Sequence, residues 1–225
     1  MQMREYVTKY DSLAAEDTLF NIPHRKEYLL SRIGKGKRVL DVGCLGGRIS
    51  KVIQDQNNEV WGVEVNANAA AVAEKRGIQV KVANVEDGLP FENSSFDVVN
   101  AGEVVEHLYD TKFFFQESHR VLKEGGILIF TTPNLNSIEN RIRILLGGYP
   151  SMIGAYPEDH FGDHVRIFNL EKIEELCFQT GFKVEDVSGA PGLYEAGHGL
   201  DKPLGWMSKL LPRWSKLLMV TARRI

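Results

Sequence analysis

The stretch Arg38-Val39-Leu40-Asp41-Val42-Gly43-Cys44-Leu45-Gly46-Gly47 decides the fold. Its first half is a short apolar run of strand type, and its second half places glycines where that strand turns into the helix opened by Arg48. Such a turn exposes main-chain amides at a helix N-terminus, so a ligand can approach the backbone closely and an anionic group is favoured. A second acid, Glu64, closes the next apolar run 23 residues after Asp41, about the spacing at which an acid grips a ribose hydroxyl pair. Together they predict a nucleoside cofactor. The dinucleotide fingerprint GxGxxG fails, because the two later glycine positions counted from Gly43 hold Leu45 and Arg48.

Outward from this stretch the chain alternates short apolar runs with helical patterns. EVWGVEV, ANAAAVAEKRG and IQVKVAN follow, then FDVVNAG, helices over Val104 to Leu108 and Thr111 to Leu122, and GGILIFTTP. Five strands with intervening helices predict a parallel sheet covered on both faces, since parallel neighbours need right-handed crossovers. After Pro133 come a helical stretch near Ile138 to Leu146, a loop rich in Gly, Pro and His to Asp163, and a helix from Leu170 ended by Gly181. Two more apolar runs, GFKVEDV and LLMVTARR, close the chain.

The 225 residues suit one core, with 43% hydrophobic and 25% charged residues, near the soluble globular average. Lys and Arg number 27 against 30 Asp and Glu, a net charge of -3, which argues against a dedicated nucleic-acid binder. The two cysteines, Cys44 and Cys177, form neither a CxxC pair nor a disulfide framework, so a reducing, cytoplasmic setting is expected. No uncharged stretch reaches the roughly 18 apolar residues of a membrane span, and the charged N-terminus does not read as a signal peptide.

DVGCLGG followed by GVEV, ANVED and LPFENSSFDVV resembles the class I S-adenosylmethionine-dependent methyltransferases, especially the small-molecule branch, over roughly Arg38 to Asn134. The resemblance implies a doubly wound, mostly parallel seven-stranded α/β sheet, Rossmann-like, in a single domain with a lid insertion after strand five. Residues 1–37 would form an N-terminal helical cap, 38–134 the cofactor-binding core, 135–168 the acceptor lid and 169–225 the C-terminal part of the sheet. By position, Asp41 and Gly43 would shape the pocket for the methionine part of S-adenosylmethionine and Glu64 would hold both ribose hydroxyls. Asn84 and the Val85 amide would face the adenine, and Gly47, Val65 and Gly102 complete the cofactor set. Two positions depart from the family pattern: Leu45 stands where a small residue is common, and Asn84 where Asp is commoner.

Beyond the fourth strand, Glu103, Glu106 and His107 have the spacing i, i+3, i+4 and would share one face of a helix beside the cofactor. Two chemistries compete with a purely structural role. In one, His107 acts as general base for a hydroxyl acceptor. In the other, Glu103, Glu106, His107 and a later histidine bind a divalent cation, Mg or Mn, that lowers the acceptor's pKa. The ExxEH pattern resembles quinone-biosynthesis O-methyltransferases and small-RNA 3′-end methyltransferases, where such a set binds a divalent cation; the distant ligand would be His164, with His160 as substitute. The lid mixes Ile138, Ile142, Ile144, Leu145, Tyr149, Met152, Ile153 and Tyr156 with Arg141 and Arg143. It suits an aromatic or amphiphilic acceptor, with packing on the sheet favoured over peripheral membrane contact. Trp206, Met207, Leu210, Leu211 and Trp214 form a second apolar group, a lid or dimer contact, and Tyr6, Tyr10 and His24 would close over the cofactor.

The sequence therefore predicts O-methylation of a small molecule (sugar, phenol or quinone precursor) by a monomer or homodimer. RNA-terminal methylation and a non-catalytic cofactor-binding partner subunit are the alternatives.

Overall fold

Alternation along the strands dictates a sheet that is buried on both sides. In the computed structural model, which describes residues 23–154, 164–190 and 211–225, Val39, Val98 and Ile129 face one apolar layer and Leu40, Val99, Leu128 and Phe130 the other. The elements run α1 (Pro23–Ile33), β1 (Arg38–Val42), α2 (Arg48–Gln54), β2 (Glu59–Glu64), α3 (Ala67–Lys75), β3 (Gln79–Val82) and β4 (Phe96–Gly102). They continue with α4 (Thr111–Val121), β5 (Leu122–Pro133), α5 (Ile138–Leu145), α6 (Leu170–Gln179), β6 (Phe182–Ala190) and β7 (Leu217–Arg224). Tyr6, Tyr10, Tyr156, His160, Trp206, Met207, Leu210 and the side chain of His24 lie outside the described residues.

The seven strands lie in the order β3-β2-β1-β4-β5-β7-β6. The first five are parallel, and β7 inserts antiparallel between β5 and β6. Helices α4 and α6 cover one face and α1 and α2 the other. On the first face Phe115 packs edge-on against Phe130 and Phe182, with ring centroids 5.2 and 6.2 Å apart. Each such fully buried ring contributes about 1.5–3 kcal/mol of transfer free energy.

The chain order reverses between β1 and β4, where ligands of open α/β sheets bind outside the strands' carboxyl ends. A buried polar thread fixes this point. The Asp41 carboxylate accepts from the Ser50 hydroxyl and from Asn100 Nδ2, each at 2.6 Å, tying β1 to α2 and β4. Gly47 takes φ +77°, and a Cβ there would sit 2.7 Å from the Ala73 Cβ, so the glycine turn packs directly on α3. Asn66 caps α3 by accepting from the N–H groups of Asn68 and Ala69.

The lid differs from expectation. Asn140 is the buried residue of α5. Its outward apolar side chains are exposed, Ile144 at 52%, Leu145 at 84% and, just beyond it, Leu146 at 79%, so this face of the helix does not pack on the sheet, while Ile138 at its start is half-buried. Among the described residues no helix is long and apolar enough to cross a membrane.

Gly47→Ala combines a left-handed backbone with a steric overlap against Ala73 and is expected to cost about 2 kcal/mol or more in urea unfolding. An unchanged midpoint would contradict the packing of the turn on α3.

Candidate active site

The candidate cofactor edge is assembled from four strand ends. Gly43, at φ +65° and exposed, leaves β1 with its N–H donating to the Val63 carbonyl at 2.9 Å. Leu45 is also left-handed, at φ 46°, and its N–H donates to Glu64 Oε2 at 3.0 Å. The Asn66 N–H donates to the other oxygen at 2.9 Å, so the two loops hold the Glu64 carboxylate between them. Burial pushes the Glu64 carboxyl above the usual carboxylate range and Asp41 repels it further, while the amides of Asn66, Leu45 and Val65 pull it partly back. Asn84 caps a short turn over Val85–Asp87 by accepting from the Glu86 N–H at 3.1 Å. Asp41 lies below this surface, 3% exposed, as a tether.

Gly102, at the end of β4, has a neighbour that the sequence reading passed over. A Cβ on Gly102 would lie 1.5 Å from Arg25 Nη2, so the absence of a side chain is what admits the guanidinium. Arg25, on α1, is 7% exposed, and its Nη1 has no hydrogen-bond partner among the described residues. A buried cation of this kind calls for an anion. No sequence motif marks it, since only tertiary packing brings α1 to the end of β4.

On the acceptor side, Val104–Leu108 holds a single 3-10 turn over Val105–His107 where a helix was expected. Glu103 precedes it at φ +57°, and its Oε1 accepts from the Thr131 hydroxyl at 2.5 Å. The common helical face expected for Glu103, Glu106 and His107 therefore does not form. Glu106, His107 and His164 do come together: one ligand atom of each lies within 4.8 Å of the others, and Glu103 is not part of this set. The histidine rings meet edge to face with centroids 4.6 Å apart. The 164–168 segment is held there by its backbone, because the Glu106 carbonyl accepts from the N–H groups of Val165 and Arg166.

Glu106 is fully buried, and burial, followed by repulsion from Glu103, holds its carboxyl well above the usual range. The nearby Thr132 hydroxyl and the Arg25 charge offset only part of this, and neither carboxylate oxygen reaches a hydrogen-bond partner among the described residues. An orphaned buried carboxylate facing two imidazoles fits a divalent cation by its donor chemistry.

A methyltransferase-domain family model matches residues 40–130. The Ubiquinone biosynthesis O-methyltransferase of Xanthomonas euvesicatoria is 30% identical over 180 residues, covering 77% of this chain and 73% of that protein. The chain belongs to the class I S-adenosylmethionine-dependent methyltransferases. The mitochondrial Ubiquinone biosynthesis O-methyltransferase of Mus musculus is also 30% identical, over 165 residues and 68% of this chain, but the match spans only 43% of that protein's length. A solved Thermotoga maritima structure described as "SAM-dependent methyltransferase, possible histamine N-methyltransferase" shares the methyltransferase fold, with TM-score 0.68 at 18% identity over 98% of this chain and 97% of the other.

A raised Glu106 pKa means that the folded protein binds this proton more tightly than the unfolded chain, so stability falls as pH rises through the folded-state value. Glu106→Gln is expected to flatten that decline in metal-free protein and to raise the neutral-pH urea midpoint above wild type. Parallel wild-type and variant profiles would contradict the buried, unpartnered placement of this carboxyl.

Proposed function

We propose that the protein transfers a methyl group from S-adenosylmethionine to a hydroxyl of a small, aromatic or amphiphilic acceptor. The observation that carries this reading is the Glu106, His107 and His164 cluster beside the carboxyl end of β4. S-adenosylmethionine supplies an activated methyl on a sulfonium, so alignment and exclusion of water account for much of the acceleration. Glu64 would hold the ribose hydroxyls, with its carboxylate already oriented by two loop amides. Arg25 would pair with the amino-acid carboxylate, the anion that its buried Nη1 lacks. Asp41, Gly43, Gly47, Val65 and Gly102 would shape the methionine and ribose pocket, with Asn84 and the Val85 amide toward the adenine. At the acceptor, His107 would take the hydroxyl proton as the methyl arrives.

The cluster would also accept a divalent ion. With one carboxylate and two imidazoles it would suit an ion that tolerates nitrogen ligands, such as Mn²⁺, Fe²⁺ or Zn²⁺, better than Mg²⁺, which holds to oxygen ligands and water. Bound there, the ion would lower the pKa of the acceptor hydroxyl. Glu103 belongs to the ExxEH pattern, yet its carboxylate is engaged by Thr131. A small acceptor is favoured over RNA because 27 basic residues are outnumbered by 30 acidic ones.

The exposed side chains of Ile144, Leu145, Leu146 and Tyr149 beside Arg141 and Arg143 favour, as a second reading, an acceptor drawn from an anionic lipid surface. Co-sedimentation with anionic vesicles, lost in Leu145→Glu, is the outcome this reading expects; equal sedimentation of both proteins would discard it.

Calorimetric titration with S-adenosylmethionine and S-adenosylhomocysteine, in EDTA and then with Mn²⁺ or Mg²⁺, tests the main reading. Dissociation constants on the order of micromolar are expected, weakened about 10- to 100-fold in Glu64→Ala and Arg25→Leu, as for lost hydrogen bonds to charged groups. Glu106→Ala and His107→Ala should keep cofactor affinity and lose about 10²–10⁴-fold in turnover. No binding under any condition would overturn the proposal.

A further inference from the structure

The side chain of Asn140 bridges two pieces of backbone from the inner side of α5. Its Nδ2 donates to the Asn134 carbonyl at 3.2 Å, and its Oδ1 accepts from the Ser151 N–H at 2.7 Å and the Ser151 hydroxyl at 2.9 Å. Asn134 is itself anchored at the end of β5, donating to the Arg213 and Ser215 carbonyls at 3.0 and 2.8 Å. Asn140 thus ties the 151–152 turn to the sheet.

That turn carries Met152 at φ 67°, a left-handed conformation that costs a residue with a Cβ about 1–2 kcal/mol and must be held by its surroundings. The Met152 side chain is 3% exposed, and its carbonyl oxygen lies 2.6 Å from His164 Nδ1. A carbonyl can only accept, so Nδ1 carries the hydrogen. In a neutral imidazole the lone pair is then on Nε2, the nitrogen able to ligate an ion together with Glu106 and His107.

We propose that Asn140 is a positioning residue that, through the Ser151–Met152 turn, fixes the Nδ1–H tautomer of His164 and presents its Nε2 lone pair to the cluster. The functional consequence rests on the metal reading above; the tautomer does not. Lid and acceptor site are then one device, because loss of the α5 contact releases the ligand orientation.

Two-bond proton–nitrogen correlation spectra of the ¹⁵N-histidine-labelled chain above the histidine titration range test this directly, with His164 assigned by its loss in His164→Gln. Wild type is expected in the Nδ1–H form and Asn140→Ala in a mixture with the Nε2–H form. Mn²⁺ titration should show about 10- to 100-fold weaker binding in Asn140→Ala, the usual cost of a lost outer contact, with S-adenosylhomocysteine affinity unchanged. An Nε2–H form in wild type overturns the inference, and so does an Asn140→Ala protein with unaltered tautomer and Mn²⁺ affinity. Should wild type bind no Mn²⁺, the metal reading fails while the tautomer still decides this one. The wild-type spectrum needs no variant, and an Nε2–H form there overturns the inference even if Asn140→Ala does not fold.

Discussion

The Asp41 carboxylate, buried where the sheet reverses its winding, is the contact on which the rest of the structure depends. It accepts from Ser50 and Asn100 at 2.6 Å each, so it fixes the spacing between the glycine turn and the end of β4. A buried charge is tolerated only when its lone pairs are satisfied, and here the satisfaction comes from two different elements. The register of β1 with β4 pairs Asp41 with Asn100 and Val42 with Ala101, which brings Gly43 and Gly102 to the same edge.

Two of the buried side chains without a full set of hydrogen-bond partners among the described residues lie at the strand ends. Arg25 sits in the space that Gly102 leaves open, with one nitrogen unpartnered, and Glu106 keeps both carboxylate oxygens without a hydrogen bond. Unpaired buried polar groups cost stability, so a ligand that met them at the strand ends would recover that cost. The proposed anion and cation sites are neighbours, which would suit a zwitterionic cofactor next to an acceptor that must lose a proton.

Much of this was legible in the sequence because the parallel strands have strong local signals. The run Arg38–Val42, the glycines after it and Glu64 at the end of β2 follow from apolar patterning and turn chemistry alone. The ExxEH stretch was legible as composition and not as geometry. Its helical period failed because a left-handed Glu103 and a three-residue 3-10 turn replace the helix, which leaves Glu103 on Thr131 and lets His164 complete the cluster. Arg25 was invisible because its position depends on α1 docking against β4, a contact between segments about 77 residues apart with no motif at either end. The outward face of α5 was likewise misread, since an amphipathic pattern does not say whether its apolar side meets the sheet or the solvent.

The central claim is that the edge formed by Glu64, Arg25 and Gly102 is a cofactor site for S-adenosylmethionine. A crystal structure of the full chain with S-adenosylhomocysteine tests it most directly. The account predicts the ribose hydroxyls on the Glu64 carboxylate and the amino-acid carboxylate against the Arg25 guanidinium. A ligand bound elsewhere, or with Arg25 still unpartnered over Gly102, would contradict it.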